Sequence, residues 1–325
     1  MVIIFAFVLL GVRLDNNDYV KTLRYKTWDY FQKVSPRTKV SDAVTVINIT
    51  EADLKRYGQW PWPRHIVAAV HQKLITYGAG VVNYNILFAE PDRMSGVEYL
   101  KSMPMPNEYR EQLAQVLLDT DGVFALIMKD SANAILMMSV KNKADQNLPS
   151  VTQIIKKGDV LPWLYEYAGV VPPHSRIMAG AIGVGVNVTS PEPDAVVRKM
   201  PMLVNVGGKI YPSMIVENVR FVFGSKRIKV VANESGIKEI LVNKSNGVPV
   251  NQNGEMYINY ADPKKYVQMS VTELMSDDID LNKIQNRMIV IGLDAAGLSV
   301  LKYTPHGLTT DQMITAQALD TLLTE

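Results

Sequence analysis

Residues 44–88 read VTVINITEADLKRYGQWPWPRHIVAAVHQKLITYGAGVVNYNILF, and the fold follows from how that stretch divides. Val44 to Ile49 is rich in β-branched residues and reads as a first buried strand. Thr50-Glu-Ala-Asp53 offers a helix cap, because a Thr hydroxyl and an acid three residues later satisfy each other's free backbone donors, and Gly58 stops the short helix. In Trp60-Pro-Trp-Pro-Arg64 both prolines lack a backbone donor and bias their predecessors to extended geometry, so the segment is a rigid turn. Ile66, Val67, Val70 and Leu74 then share one face of a helix from His65 to Tyr77, and Gly80 to Phe88 is a second strand. Strand, helix, strand predicts a right-handed parallel crossover.

Further apolar segments at 122–128, 134–140 and 287–293 extend the pattern. With 44–49 and 80–88 they predict an α/β fold: a central, largely parallel sheet flanked by helices. Residues 92–107 read as a surface loop ahead of a helix marked by Leu113, Val116 and Leu117. Residues 196–259 predict appended antiparallel hairpins, with turns at Gly207-Gly208, Asn246-Gly247 and Asn253-Gly254 and a helix between Pro212 and Gly224. A closing helix is expected from Asp311 to Leu323, with Ile314, Ala318, Leu319 and Leu322 as its apolar stripe.

The N-terminus reads differently. Val2 to Val12 is an unbroken apolar run with no charge before Arg13. Such a run rises only about 18 Å as a helix, whereas a hydrocarbon core is about 30 Å thick. The expectation is that residues 1–14 are part of an N-terminal transmembrane helix beginning ahead of Met1. Residues 15–325 form one domain, opening with a helical segment from Asp15 to Val34 that carries Val20, Leu23, Trp28 and Phe31 at roughly helical spacing.

Composition excludes several chemistries. Thirty-four Lys plus Arg balance 32 Asp plus Glu, which gives no electrostatic footprint for nucleic acid. The chain has no cysteine, so disulfides, thiolate catalysis and Cys-ligated metals are out. His65, His71, His174 and His306 have no ligand-pair spacing, and His65 and His71 are expected on a solvated helix face. Gly180 to Gly185 runs G-x-x-G-x-G, not the order of a dinucleotide fingerprint, and is read as close packing. No G-x-S-x-G elbow occurs. The reading is therefore no catalytic residue, no metal and no cofactor. Weak ligand-binding candidates remain at the strand ends and turns: Trp60, Trp62, Arg64, Asn85, Glu90, Asp92 and Asp294. Of these, the two tryptophans read more naturally as the packing of a rigid corner.

These residues resemble a known pattern. Asp53, Gly58-Gln-Trp-Pro-Trp-Pro-Arg64, Tyr77-Gly-Ala-Gly80 and Asn83-Tyr-Asn-Ile-Leu-Phe-Ala-Glu-Pro-Asp92 are similar to the N-terminal signature of CHASE2 domains. Val197-Arg-Lys-Met-Pro201, Tyr211-Pro-Ser213, Ile289-Val-Ile-Gly292, Tyr303-Thr-Pro305 and Ala316 resemble that family's later blocks. Two positions depart from it: Asn85 stands where the family typically has an aspartate, and Gly297-Leu-Ser-Val300 lacks the aspartate usual after the last strand.

The resemblance implies a non-catalytic extracytoplasmic sensor of a bacterial membrane signalling protein. It places residues 1–14 in the inner membrane and residues 15–325 in the periplasm or outside the cell, passing a ligand or partner signal through flanking membrane helices to a cytoplasmic output domain. The partners it implies are the membrane, a second copy or an envelope protein, and a small-molecule ligand of unknown identity. The alternative is a periplasmic scaffold subunit of an envelope assembly, which the two missing aspartates favour.

Overall fold

The computed structural model describes residues 18–145, 147–149 and 151–324. The elements that set the architecture are α1 (Asp18–Val34), β1 (Val44–Thr50), α2 (Glu51–Tyr57), α3 (Arg64–Thr76), β2 (Val81–Tyr84), α4 (Thr120–Ser131), β3 (Ala134–Lys141), β4 (Gly169–Val171), β5 (Gly183–Val186), α5 (Met214–Val222), β6 (Val267–Ser270), β7 (Met288–Asp294) and α6 (Asp311–Thr324). The expected membrane segment, residues 1–14, lies outside the described residues. Among those described, no helix is long and apolar enough to cross a membrane.

The central sheet has the order β6-β1-β7-β2-β3, with β5 and β4 both joining β3. Every pairing is parallel except that of β4. β1 and β7 pair along their whole length, from Val44 with Met288 to Thr50 with Asp294. Side-chain alternation explains why β1 carries apolar residues on both sides, Val44 and Val46 on one and Ile47 and Ile49 on the other, because both faces of a parallel sheet are covered. Ile47, Ile49, Ile289 and Ile291 join α3 and α4 in one core cluster. Val44, Val46 and Val290 point the other way, to α5 and α6.

The Thr50 and Asp53 capping box forms, and Gly58 ends α2 at a φ of 99°. The close packing expected at the glycine run is present: a Cβ on Gly185 would come within 2.4 Å of the Met214 backbone nitrogen. The appended region has the Leu203–Val206 and Lys209–Pro212 hairpin and the antiparallel strands Arg227–Asn233 and Gly236–Leu241. It is not wholly antiparallel, since Gln153–Lys157 adds to it in parallel.

Three expectations are corrected. The segment 122–128 is helical, within α4, because its buried residues Phe124 and Met128 lie four apart and Leu126 between them is exposed. The Asp119 carboxylate caps it on the Gly122 N–H at 3.1 Å. The expected loop at 92–107 contains the helix Gly96–Ser102. His71 is fully buried, not solvated; its Nδ1 lies 3.0 Å from the Tyr84 hydroxyl and its Nε2 3.1 Å from Ser131 Oγ.

Candidate functional site

The carboxyl ends of parallel strands are where an α/β sheet exposes loops that bind ligands. Here that position is closed by a polar network. Asn85 follows β2, Asn187 follows β5, and Asp311 is the first residue of α6. Asn85 and Asn187 both donate to Asp311 Oδ2, at 2.9 and 2.6 Å, and Asn187 also donates to Asn85 Oδ1 at 2.6 Å. The Thr315 hydroxyl, one turn into α6, lies 3.1 Å from the same Asn85 oxygen. Lys302 pairs with Asp311 Oδ1 at 2.6 Å, so both carboxylate oxygens are matched. Next to it, Gln312 donates to Asn48 Oδ1 at 3.0 Å and to the Leu293 carbonyl at 3.2 Å. The arrangement locks the start of α6 onto the sheet. Asp294 takes no part in it and is exposed at the end of β7.

The other candidates converge on a groove of about 340 Å³ lined by Trp60, Trp62, Arg64, Glu90, Asp92 and Met94, among others. Trp62 is buried and donates its indole N–H to the Gly58 carbonyl at 2.7 Å, while Trp60 packs 5.7 Å from it between ring centroids. Asp92 receives the Arg64 backbone N–H at 2.7 Å, the Thr120 hydroxyl at 2.6 Å and the Met94 N–H at 2.9 Å. It thereby caps α3 from a distant loop, at a helix end whose own preceding residue is Pro63 and has no side chain to do so. The Arg64 guanidinium lies over the Phe88 ring at 4.7 Å, donates to the Glu90 carbonyl at 3.0 Å and faces Asp121 at 3.2 Å. Burial lowers its pKa, and Asp121 and Asp92 act against that. Glu90 and Arg93 pair at 3.0 Å on the exposed rim. The two halves of the signature, Trp-Pro-Trp-Pro-Arg and Glu-Pro-Asp, therefore hold each other.

A third cluster was not anticipated. Arg37, just past α1, pairs with Asp320 near the end of α6 at 2.7 Å and donates to the Tyr266 hydroxyl at 2.8 Å. Tyr266 donates to Asp320 Oδ2 at 2.8 Å, and the Ser41 N–H donates to Asp320 Oδ1 at 2.9 Å. Burial pushes the Tyr266 phenol well up, so it remains a donor. Extended residues 257–261 join the same two helices: the Tyr260 N–H bonds to Gln32, the Asn259 N–H to Thr321 and the Ala261 N–H to Gln317, at 3.1, 3.2 and 2.8 Å. Sequence separation of 283 residues hid the Arg37–Asp320 pair, and nothing local in either segment signals it.

Among the described residues no group of three or more acidic or histidine side chains could hold a metal ion. A family model described as CHASE2 domain matches residues 2–325. No curated protein and no solved structure matches the chain.

Proposed function

The chain belongs to the CHASE2 domain family, a sensory and non-catalytic family of signalling proteins, and on that premise we propose that it is the extracytoplasmic input domain of a membrane receptor. In this reading residues 1–14 are membrane sequence, and residues 15–325 receive a ligand or partner and pass the event through the flanking segments to a cytoplasmic output domain.

The observation that supports it is the Arg37–Asp320 junction. The segment arriving from the N-terminal helix and the segment leaving through α6 are tied by one shielded ion pair. A rearrangement of the body that moves α6 therefore has to move the N-terminal segment or break the pair, which is how a folded domain biases its flanking helices. Placement is tested by inserting alkaline phosphatase at the exposed Lys244, which is expected to be active only outside the cytoplasm. Coupling is tested by spin labels at Val34→Cys and Leu323→Cys, both exposed. Asp320→Asn is expected to broaden their distance distribution with the core intact. An unchanged distribution would remove the coupling.

A second reading is favoured by the packed strand end. Asn85, Asn187 and Asp311 satisfy one another where a ligand would bind, so the domain serves equally as a scaffold recognised by an envelope protein or a second copy.

A further inference from the structure

We infer that the outward face of α1 lies on the headgroup layer of an anionic bilayer. The inference rests on reading residues 1–14 as membrane sequence and adds a second, interfacial contact to it.

The rotation of α1 is fixed by its inner face. Tyr25 stacks on the Arg198 guanidinium at 4.6 Å, Asp29 takes two hydrogen bonds from Arg198 at 2.8 and 2.7 Å, and Trp28 packs on Tyr257 at 5.3 Å. With that face held, Leu23, Tyr30, Phe31 and Val34 turn outward, at 54, 61, 59 and 57% exposure. Their spacing puts them on one side of the helix, with Thr27 among them, and exposed Lys26 and Lys33 line one edge of that stripe. From residue 20 to the end of the helix the one carboxylate is Asp29, and it is turned inward.

A stripe of aromatic and aliphatic residues edged by lysines, with the acid on the opposite face, is the composition of a helix lying in a membrane interface. Lysine stems cover apolar surface while their ammonium groups reach headgroup phosphates. A second copy fits less well, because two such faces would bring Lys26 and Lys33 together with no carboxylate between them. Chain length adds a constraint. The apolar run ends at Val12 and α1 begins at Asp18, and the chain between them reaches at most about 20 Å. A membrane-inserted run therefore keeps the start of α1 close to the bilayer surface.

The chain has no cysteine, so single reporters are clean. Tyr30→Cys and Phe31→Cys, each carrying a polarity-sensitive fluorophore, are compared with a Lys244→Cys control in the full chain reconstituted into phosphatidylcholine vesicles with and without phosphatidylglycerol. With phosphatidylglycerol, the two α1 probes are expected to shift to the blue, resist iodide and be quenched by lipid-borne nitroxide, while the control stays open to iodide. Lys26→Gln and Lys33→Gln are expected to lower the protected population about fivefold each. A chain that does not float with vesicles overturns the membrane reading itself. A chain that floats with its α1 probes open to iodide overturns this inference alone. Iodide protection without nitroxide quenching, accompanied by energy transfer between labelled copies, assigns the face to a second copy and also overturns it.

Discussion

Arg37 and Asp320 meet at 2.7 Å with side chains 7 and 0% exposed, which makes them a buried ion pair and not a surface contact. The distinction sets the size of its effect. Exposed pairs are worth less than about 1 kcal/mol, whereas removing one partner of a buried pair strands the other charge out of water. Asp320→Asn should therefore destabilise the fold by about 3 kcal/mol in urea unfolding. Asp320 also accepts from Ser41 and Tyr266, so a loss below about 1 kcal/mol would show that the junction is solvated in solution.

The two tryptophans of the signature differ in burial and should differ in cost. Trp62→Ala removes a fully enclosed indole and its hydrogen bond to Gly58, for a loss of about 3–5 kcal/mol. Trp60 is only half-buried at the groove, and Trp60→Ala should cost less than half as much. Thermal or urea unfolding of both variants decides between packing and recognition. A Trp62→Ala variant of undiminished stability that had lost a partner would assign the indole to binding.

Much of the fold was legible because the parallel strands and their covering helices carry strong local patterns. Val44 to Ile49 and Met288 to Leu293 carry apolar residues on both faces because both faces are covered, and the Thr50 and Gly58 caps are local chemistry. The failures share a cause. Residues 122–128 are apolar nearly throughout, so their period was ambiguous until the burial of Phe124 and Met128 resolved it. His71 was placed in solvent because its partners, Tyr84 and Ser131, are 13 and 60 residues away. Of the candidate residues, Trp60, Trp62, Arg64, Glu90 and Asp92 line one groove, whereas Asn85 lies in the network at the start of α6 and Asp294 stands apart, exposed. What holds Arg64 and Asp92 in place was not legible, because Asp121 and Thr120, which engage them, belong to the first turn of α4, immediately ahead of the stretch 122–128 whose period was ambiguous.

Asn85 is the departure from the family pattern that can be tested directly. Its amide donates to Asp311 and its oxygen accepts from Asn187. Asn85→Asp replaces that donor with a second carboxylate against the first, and Lys302 already serves the other Asp311 oxygen. The expected loss is about 2 kcal/mol at neutral pH. Mutual repulsion raises a carboxyl pKa in the folded state above its unfolded value, so the penalty should shrink as pH falls toward 4. Urea unfolding of the variant and parent at pH 7 and pH 5 measures this. A penalty that does not change with pH would mean that Lys302 moves to neutralise the new charge.

His71 should make stability depend on pH in the opposite direction. Burial lowers its pKa from 6.5 to about 4. Ser131 Oγ donates to the Met128 carbonyl at 3.0 Å, which leaves its lone pairs to accept from Nε2–H, and Nδ1 then accepts from the Tyr84 hydroxyl. Burial holds the Tyr84 phenol protonated, so it can fill that role. The neutral ring thus has both nitrogens satisfied, and a second proton would displace the Tyr84 bond. Below pH 6.5 the unfolded chain binds a proton at His71 that the folded chain refuses, so stability present above pH 6.5 is lost progressively as pH falls toward 4. The loss from this residue alone should approach ~3 kcal/mol at pH 4. Carboxylates near neither Tyr84 nor Ser131 titrate in the same range, so the comparison has to be made against His71→Gln, in which their contribution remains and that of the imidazole does not. Urea midpoints taken at half-unit steps should fall more steeply for the parent than for the variant below pH 6.5 and run parallel above it. Parallel curves throughout would place His71 in contact with water.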